Sequence, residues 1–229
     1  LCSSVLNQMT PDLCDRLFAG GTAGESLSHL VRANLFISEL EGPGEWYRYH
    51  NLFQEFLQAK LKAEDPDLFA RLHRRASEMA EEEGEWETAL GHRRAAGDRA
   101  GAARLVERAA KEMMHTGRWR TLYRWLDALP PHTLEANPVL ALHRGHTYLL
   151  ATELDRSVAM LDQAFLGLRQ RGNLEDAARA LTLKSVALRL KGRLGEAMET
   201  ARRVLELGGS ASSLATAEAR QEIGICLAS

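Results

Sequence analysis

GEWETAL, at residues 84–90, decides the fold, because variants of this heptapeptide recur along the rest of the chain. They are GRWRTLY at 117–123, TELDRSV at 152–158 and GRLGEAM at 192–198, with spacings of 33, 35 and 40 residues. Such a period is typical of helix-pair repeats, in which each unit buries its apolar side against its neighbours. We interpret each heptapeptide as a turn followed by the start of the second helix of a pair.

A second regularity surrounds each turn. A small residue stands seven positions before the turn, and a large apolar residue stands two positions after it. The small residues are Ser77, Ala110, Gly145 and Ser185, and the large ones are Trp86, Trp119, Leu154 and Leu194. A small residue lets two helices approach closely, and a large one fills the space where the second helix begins. We therefore predict a mainly α fold in which residues 66–229 form a tetratricopeptide-like superhelix of about four helix pairs and a final helix.

Residues 1–65 are patterned differently and predict a small, partial winged-helix-like unit with one β-hairpin. LFISEL at 35–40 and EWYRYH at 45–50 alternate as strands do, and EGPG at 41–44 is a turn between them. After His50 the apolar residues return at helical spacing and mark one helix face; they are Leu52, Phe53, Phe56, Leu57 and Leu61. AEDPD at 63–67 is the predicted domain boundary.

The composition is that of an ordinary globular protein, with 229 residues, 45% of them hydrophobic, and a formal net charge of −2. This charge provides no general attraction to nucleic acid or to an anionic membrane surface. No apolar run approaches the roughly 18–20 residues of a membrane span, and the N-terminus lacks a secretory signal. We expect a cytoplasmic protein. Because the first residue is not methionine, we also expect the chain to be part of a longer protein.

Three strings carry a family resemblance. They are RANLFISELEGPGEWYRYHNLFQEFLQAKL at 32–61, LHRRASEMAEEEGEWETALGHRRAAGDRAGAARLVERAA at 72–110 and RTLYRWLDALP at 120–130. They resemble the middle of the MalT-like group of large ATP-binding LuxR-type transcriptional regulators. The resemblance is clear from about residue 27 to residue 170 and weaker beyond.

The resemblance implies an N-terminal signalling ATPase, a winged-helix domain, an inducer-binding repeat domain and a C-terminal DNA-binding domain. This chain would hold the end of the winged-helix domain and several repeats. ATP or ADP is then expected on an ATPase domain outside the chain, with no cofactor in the chain itself. The full-length protein is expected to self-associate.

A winged helix suggests DNA binding, but residues 1–66 contain five Lys or Arg and nine Asp or Glu, a net charge of −4. So acidic a unit is a poor phosphate binder, and we expect it to pack against a neighbouring domain, the ATPase. His50 lies where a strand ends and a helix begins, so it can face an anion held by another domain. The resemblance implies contact with the β-phosphate of a nucleotide. The alternative is a histidine that caps the helix or packs on the hairpin.

No combination of residues predicts catalysis. GGTAGES at 20–26 has the glycines of a phosphate loop but no lysine after them, and no nucleophile or hydrolase pattern is present. His143 and His146 stand at i, i+3 spacing without a third ligand at a matching position, which favours a groove pair over a metal site. We predict that the chain is not an enzyme and holds no metal.

Helix-pair solenoids bind their ligands on the concave surface made by the first helices. Counting from the turns places Lys111, His115, His146, Arg179 and Arg189 on this surface. The mixture suits a small polar inducer or a regulatory protein that carries carboxylates. The alternative is that these residues pack on the next repeat or face water. We therefore predict a sensor and interaction segment of a MalT-like regulator; the competing hypothesis is a peptide-binding helical scaffold without a switch role.

Overall fold

The computed structural model describes residues 1–18, 23–33, 36–41, 44–207 and 213–228. Within these ranges the chain is mainly helical and contains one two-stranded antiparallel sheet, which confirms the predicted fold class. The chain divides into two compact units, Leu1–Leu105 and Val106–Ser229.

The first unit carries the hairpin. Its elements are the 3₁₀ helix Cys2–Val5, α1 (Pro11–Phe18), α2 (Ala23–Arg32), β1 (Ile37–Leu40), β2 (Trp46–Tyr49), α3 (Asn51–Glu64), α4 (Pro66–Glu82) and α5 (Trp86–Ala95). The next helix, α6 (Arg99–His115), begins in the first unit and ends in the second.

The hairpin has the two predicted strands, each slightly shorter than predicted. Ile37 of β1 stands opposite Tyr49 of β2. Tyr47 and Tyr49 are buried while Arg48 between them is exposed, as expected for a strand that covers a core on one side. Met9 extends the pairing, because its backbone exchanges two hydrogen bonds of 2.9 and 2.8 Å with Tyr47. Residues 42 and 43 of the predicted turn lie outside the described residues.

Helix α3 presents a different face to the core from the one the sequence predicts. Leu61 is buried and Phe53 and Leu57 are partly buried, but Leu52 and Phe56 are 71% and 60% exposed. The five residues were predicted as one face, yet Leu52 lies about 140° and Phe56 about 100° around the helix from Leu57, the middle of the other three. Polar contacts occupy part of the buried side: the Gln54 and Gln58 amides each donate to the Ser4 carbonyl oxygen, at 2.9 and 2.7 Å, and the Gln54 amide also reaches that of Leu6 at 2.9 Å.

Helices α3 and α4 meet at a tight joint at residue 65. The Asp65 carboxylate accepts a hydrogen bond of 2.8 Å from the Leu68 N–H, and Pro66 occupies the first position of α4. Phe69 and Leu72 of α4 belong to the same core cluster as Tyr47 of the hairpin. The structure therefore places one core on both sides of residue 65, and the domain boundary there stays a prediction from the sequence.

The second unit consists of helices. They are the end of α6, α7 (Trp119–Asp127), α8 (Pro131–Ala136), α9 (Pro138–Leu150), α10 (Leu154–Gln170), α11 (Leu174–Leu190), α12 (Leu194–Glu206) and α13 (Ser213–Ala228). Helices α9 with α10 and α11 with α12 pack as pairs, and the first helices α9, α11 and α13 contact one another in this order. The short helix α8 is an addition that the repeat pattern does not predict.

The four heptapeptides are turns between helices, as predicted. Gly84, Gly117, Thr152 and Gly192 all have positive φ angles, of 74°, 73°, 63° and 76°. After each turn the next N–H bonds to a carbonyl five residues back, as in Glu153 to Tyr148 at 2.9 Å, which closes the end of the first helix. Three of these positions hold glycine because a left-handed conformation has no steric cost there.

All four predicted small residues are buried, and two of them, Gly145 and Ser185, lie where the helices of a pair cross. At one crossing the Ser157 hydroxyl of α10 donates to the Gly145 carbonyl of α9 at 2.8 Å. At the next the Ser185 hydroxyl of α11 donates to the Ala197 carbonyl of α12 at 2.7 Å. Each of these two crossings thus joins two small residues through one serine. The serine is on the second helix of the pair in the first case and on the first helix in the other. The four predicted large residues after the turns are only partly buried.

Replacing Gly145 with Ala tests the crossing. A Cβ atom there would lie 2.6 Å from Cγ of Leu161, which is fully buried, and 3.3 Å from its backbone nitrogen. We expect Gly145→Ala to lower the free energy of unfolding by about 1–3 kcal/mol through overpacking. The matched control is Gly195→Ala in α12, where a Cβ meets nothing within 4 Å; it should raise stability by about 0.5–1 kcal/mol. Urea unfolding measures both, and a Gly145→Ala protein as stable as the parent would contradict the close crossing.

Candidate functional site

The predicted ligand-binding residues lie on three helices of the second unit. Lys111 and His115 are exposed near the end of α6, His146 is on α9, and Arg179 and Arg189 are on α11. Below, the inner face means the surface formed by the first helices α9, α11 and α13. The structure brings His146 and Arg179 together on this face.

Arg189 is engaged by a neighbouring helix. Its guanidinium Nε lies 2.7 Å from a carboxylate oxygen of Glu222 in α13, and the Glu222 side chain is only 10% exposed. This hydrogen-bonded pair raises the pKa of Arg189. A ligand at Arg189 would have to compete with this carboxylate, so the contact ties α11 to α13.

His143, His146 and Arg179 form a cluster between α9 and α11. His143 is 6% exposed, and His146 and Arg179 are partly buried. Burial, and then the positive charge of Arg179, lowers the pKa of His143 and of His146 to about 4. Both imidazoles are therefore neutral near pH 7. The Nδ1 atom of His146 is buried and has no hydrogen-bond partner among the described residues.

A polar network near the turn at Thr152 holds α9 against its neighbouring helices. The Tyr148 hydroxyl accepts hydrogen bonds from Arg144 and Arg156, at 2.7 and 2.6 Å, and both guanidinium groups lie over its ring. Arg144 also donates to the Leu126 carbonyl at 2.6 Å and to Asp127 at 2.8 Å. The network joins α7, α9 and α10, so the helix that carries His143 and His146 is held from the other side.

A second histidine pair is buried in the first unit. The Nδ1 atoms of His73 on α4 and His92 on α5 lie 2.9 Å apart, so one ring donates and the other accepts. Burial, and then the neighbouring His92 and Lys62, lowers the pKa of His73 to about 4. The sequence reasoning missed this pair because the two residues are 19 positions apart on different helices. The predicted turn at Gly84 was the one sequence feature that indicated contact between α4 and α5.

His50 precedes α3 and fixes the joint through its backbone. Its N–H donates to the Phe36 carbonyl at 2.8 Å, and its carbonyl accepts from Gln54 at 2.9 Å. The exposed imidazole makes no capping hydrogen bond. With Phe36 and Arg48 it lines a cleft of about 420 Å³ at the N-terminus of this 14-residue helix, where backbone N–H groups favour negative charge.

The described ranges contain neither a metal-binding cluster nor a membrane-spanning helix. No group of three or more His, Cys, Asp or Glu side chains there is arranged to hold a metal ion. None of the helices within those ranges has the length and apolar character that crossing a membrane requires. Residues 20–22 of the glycine-rich GGTAGES segment lie outside the described residues.

Comparison with known proteins gives a family match at the N-terminus. Residues 1–69 match the family model described as the MalT winged helix domain. The chain is also 32% identical over 142 residues to the HTH-type transcriptional regulator MalT of Klebsiella pneumoniae, and 30% identical over 168 residues to that of Yersinia pestis. These alignments cover 62% and 73% of the chain but 16% and 19% of the relatives.

A relative of another kind is equally similar. The serine/threonine-protein kinase PknK of Mycobacterium tuberculosis H37Rv is 34% identical over 131 residues, which is 57% of this chain and 12% of the kinase. The chain therefore spans less than a fifth of the length of each of these three relatives, and a similar segment occurs in two classes of protein.

The buried imidazoles predict a loss of stability in acid. The unfolded chain takes up a proton on each near pH 6.5, but folded His73 and His143 do so only near pH 4. Between these values the unfolded state binds more protons, so the free energy of unfolding should fall as the pH falls, by about 1.4 kcal/mol per pH unit for each histidine. Urea unfolding from pH 7 to 4.5 measures this slope.

His143→Gln should make that slope shallower, whereas His132→Gln, at an exposed position, should not. Equal slopes for the parent and the His143→Gln protein would contradict a neutral, buried His143.

Proposed function

We infer that this chain, a MalT-like segment that begins with a MalT-type winged helix domain, is the non-catalytic sensor and interaction part of a LuxR-type transcriptional regulator. The observation that carries this proposal is the presence of that winged helix and of helix-pair repeats in one chain. The activity of the whole regulator lies in other domains, and we propose a signalling ATPase that binds ATP or ADP.

The proposed sensor surface is the inner face together with the end of α6. Its members are Lys111, His115, His146, Arg179 and Arg189. They offer cationic and imidazole groups to a small inducer or to a regulatory protein. An inducer acts as a switch only if it binds one arrangement of the regulator more tightly than the other. The described network beneath α9 supports this role, because a rigid helix transmits a displacement better than a loose one.

The winged helix is proposed to pack against the ATPase domain rather than DNA. Residues 1–66 have a net charge of −4, which disfavours contact with phosphates of nucleic acid. Phe36, Leu52 and Phe56 are each more than half exposed. Phe36 lines the His50 cleft, and ring contacts join Phe36 and Phe56 to Phe53. Exposed apolar groups of this size support an interface with another domain. We place the regulator in the cytoplasm, away from membranes, and expect the full-length protein to self-associate.

The similarity to PknK favours one competing function. A kinase and a transcriptional regulator both contain a segment similar to this chain, which suits a helical-repeat scaffold that binds a peptide without a switch role. The two proposals differ in whether binding on the repeats changes the nucleotide state of another domain.

Nucleotide exchange distinguishes the two functions. The chain is first titrated with metabolites and peptides by calorimetry, with Arg179→Ala and His146→Ala as variants that should weaken binding and Arg169→Ala, an exposed position on α10, as the control. A ligand found in this way should then accelerate ADP release from a longer protein that includes the ATPase. Binding without any change in ADP release would exclude the switch and support the scaffold.

His50 is proposed to contact the nucleotide held by the ATPase domain. In the longer protein, His50→Ala should release ADP about tenfold faster, since one hydrogen bond to a charged group contributes about 1.5–3 kcal/mol. The control is His29→Ala, another exposed histidine of the winged helix. Release of labelled ADP, followed by stopped-flow fluorescence, gives both rates. An unchanged rate for His50→Ala would leave His50 only its backbone role at the joint.

A further inference from the structure

Arg179 differs from the other cations of α11. Lys184 lies 2.5 Å from a carboxylate oxygen of Asp162, and Arg189 lies 2.7 Å from Glu222. For Arg179, by contrast, no hydrogen bond or ion pair to any described side chain is present. Its partly buried guanidinium thus keeps its donors for something outside the chain.

Asp176 of α11, the carboxylate whose charge acts on His143, makes its hydrogen bonds at the start of the helix. Asp176 stands one turn before Arg179, and its Oδ2 accepts a hydrogen bond of 2.8 Å from the Asn173 side-chain amide. The Asn173 oxygen in turn accepts from the Asp176 N–H at 3.2 Å, so the two residues cap the start of α11. Asp176 therefore serves the helix end and makes no ion pair with Arg179.

We propose that His143, His146 and Arg179 form a subsite that binds an oxyanion, the carboxylate or phosphate group of a small metabolite. The proposal rests on the proposed sensor function and names the class of ligand. Arginine matches such groups well, because its planar fork donates two parallel hydrogen bonds to two oxygens. The two imidazoles add ring N–H groups on the facing helix α9, so the ligand would bridge the first helices of consecutive pairs.

Binding at this subsite is linked to proton uptake. Burial and Arg179 hold the pKa of each imidazole at about 4 in the free protein. An oxyanion cancels the charge of Arg179 and favours the protonated rings. It also supplies a hydrogen-bond partner for the buried Nδ1 of His146, which has none among the described residues. The charged groups that act on these rings are Arg179 and Asp176 of α11; among the described residues α7, α8 and α10, which also pack on α9, contribute none.

Proton NMR of the histidine rings tests the subsite in this chain. Inorganic phosphate and citrate are the probes, glucose is the neutral control, and sodium chloride holds the ionic strength constant. At least one oxyanion should raise the pKa of His143 and His146 by about 1 pH unit or more, the size expected for an opposite charge within reach. A response to phosphate alone would indicate a phosphate group in the ligand, and a response to citrate alone would indicate a carboxylate group.

Variants separate the subsite from general salt effects. Arg179→Gln should abolish the rise, and Arg169→Gln, at an exposed position on α10, should preserve it. His132, an exposed histidine in the same spectra, should respond equally in both variants and reports the bulk effect of the salt. If neither oxyanion changes the pKa of His143 or His146, or if Arg179→Gln responds like the parent, the subsite is overturned.

The outcomes also separate this inference from the proposed sensor function. A neutral metabolite that binds the repeats and accelerates ADP release, with no response to either oxyanion, would overturn the subsite and leave the sensor function standing. An oxyanion that binds at Arg179 but leaves ADP release unchanged in the longer protein would confirm the subsite and overturn the switch.

Discussion

The close crossing of two helices at a pair of small residues is the constraint on which the repeat part of this chain depends. At Gly145 the partner helix approaches so closely that even a methyl group would collide with Leu161. At the α9–α10 and α11–α12 crossings a serine hydroxyl donates a hydrogen bond to a carbonyl of the partner helix, so this buried polar group costs little stability. Once the crossing is fixed, the turn before the second helix has little freedom, and a left-handed residue is required there.

The crossing also determines which side chains face the neighbouring repeat. Helix α10 packs against one side of α9, and α12 packs against one side of α11. Another side of α9 and of α11 remains for the contacts from α9 to α11 and from α11 to α13. Charged residues on that side acquire partners from the next helix, as Arg189 does from Glu222. Arg179 instead lies near the imidazoles of His143 and His146 and has no ion pair with a described carboxylate. Because neutral imidazoles cannot compensate a guanidinium, this place differs electrostatically from the rest of the helix.

The winged helix is built on a different principle. Its hairpin, its first helices and α4 share one apolar core, while α3 attaches to the N-terminal 3₁₀ segment partly through glutamine amides. Leu52 and Phe56 lie on the side of α3 that faces away from this core, and they form an apolar patch on the surface. Phe36 lines the His50 cleft and is joined to Phe56 through Phe53, so one neighbouring domain can cover both the patch and the cleft.

The sequence by itself determined the repeats, because small residues, turns and large apolar residues recur at fixed offsets and each has a local physical cause. It also determined the hairpin, since the alternation of Tyr47, Arg48 and Tyr49 follows from the geometry of one strand. Only the tertiary structure decided which residues meet across helices. Helical spacing does not reveal that His73 faces His92, that Glu222 takes Arg189, or that Arg179 is left with two imidazoles, because such contacts depend on how helices far apart in the chain pack.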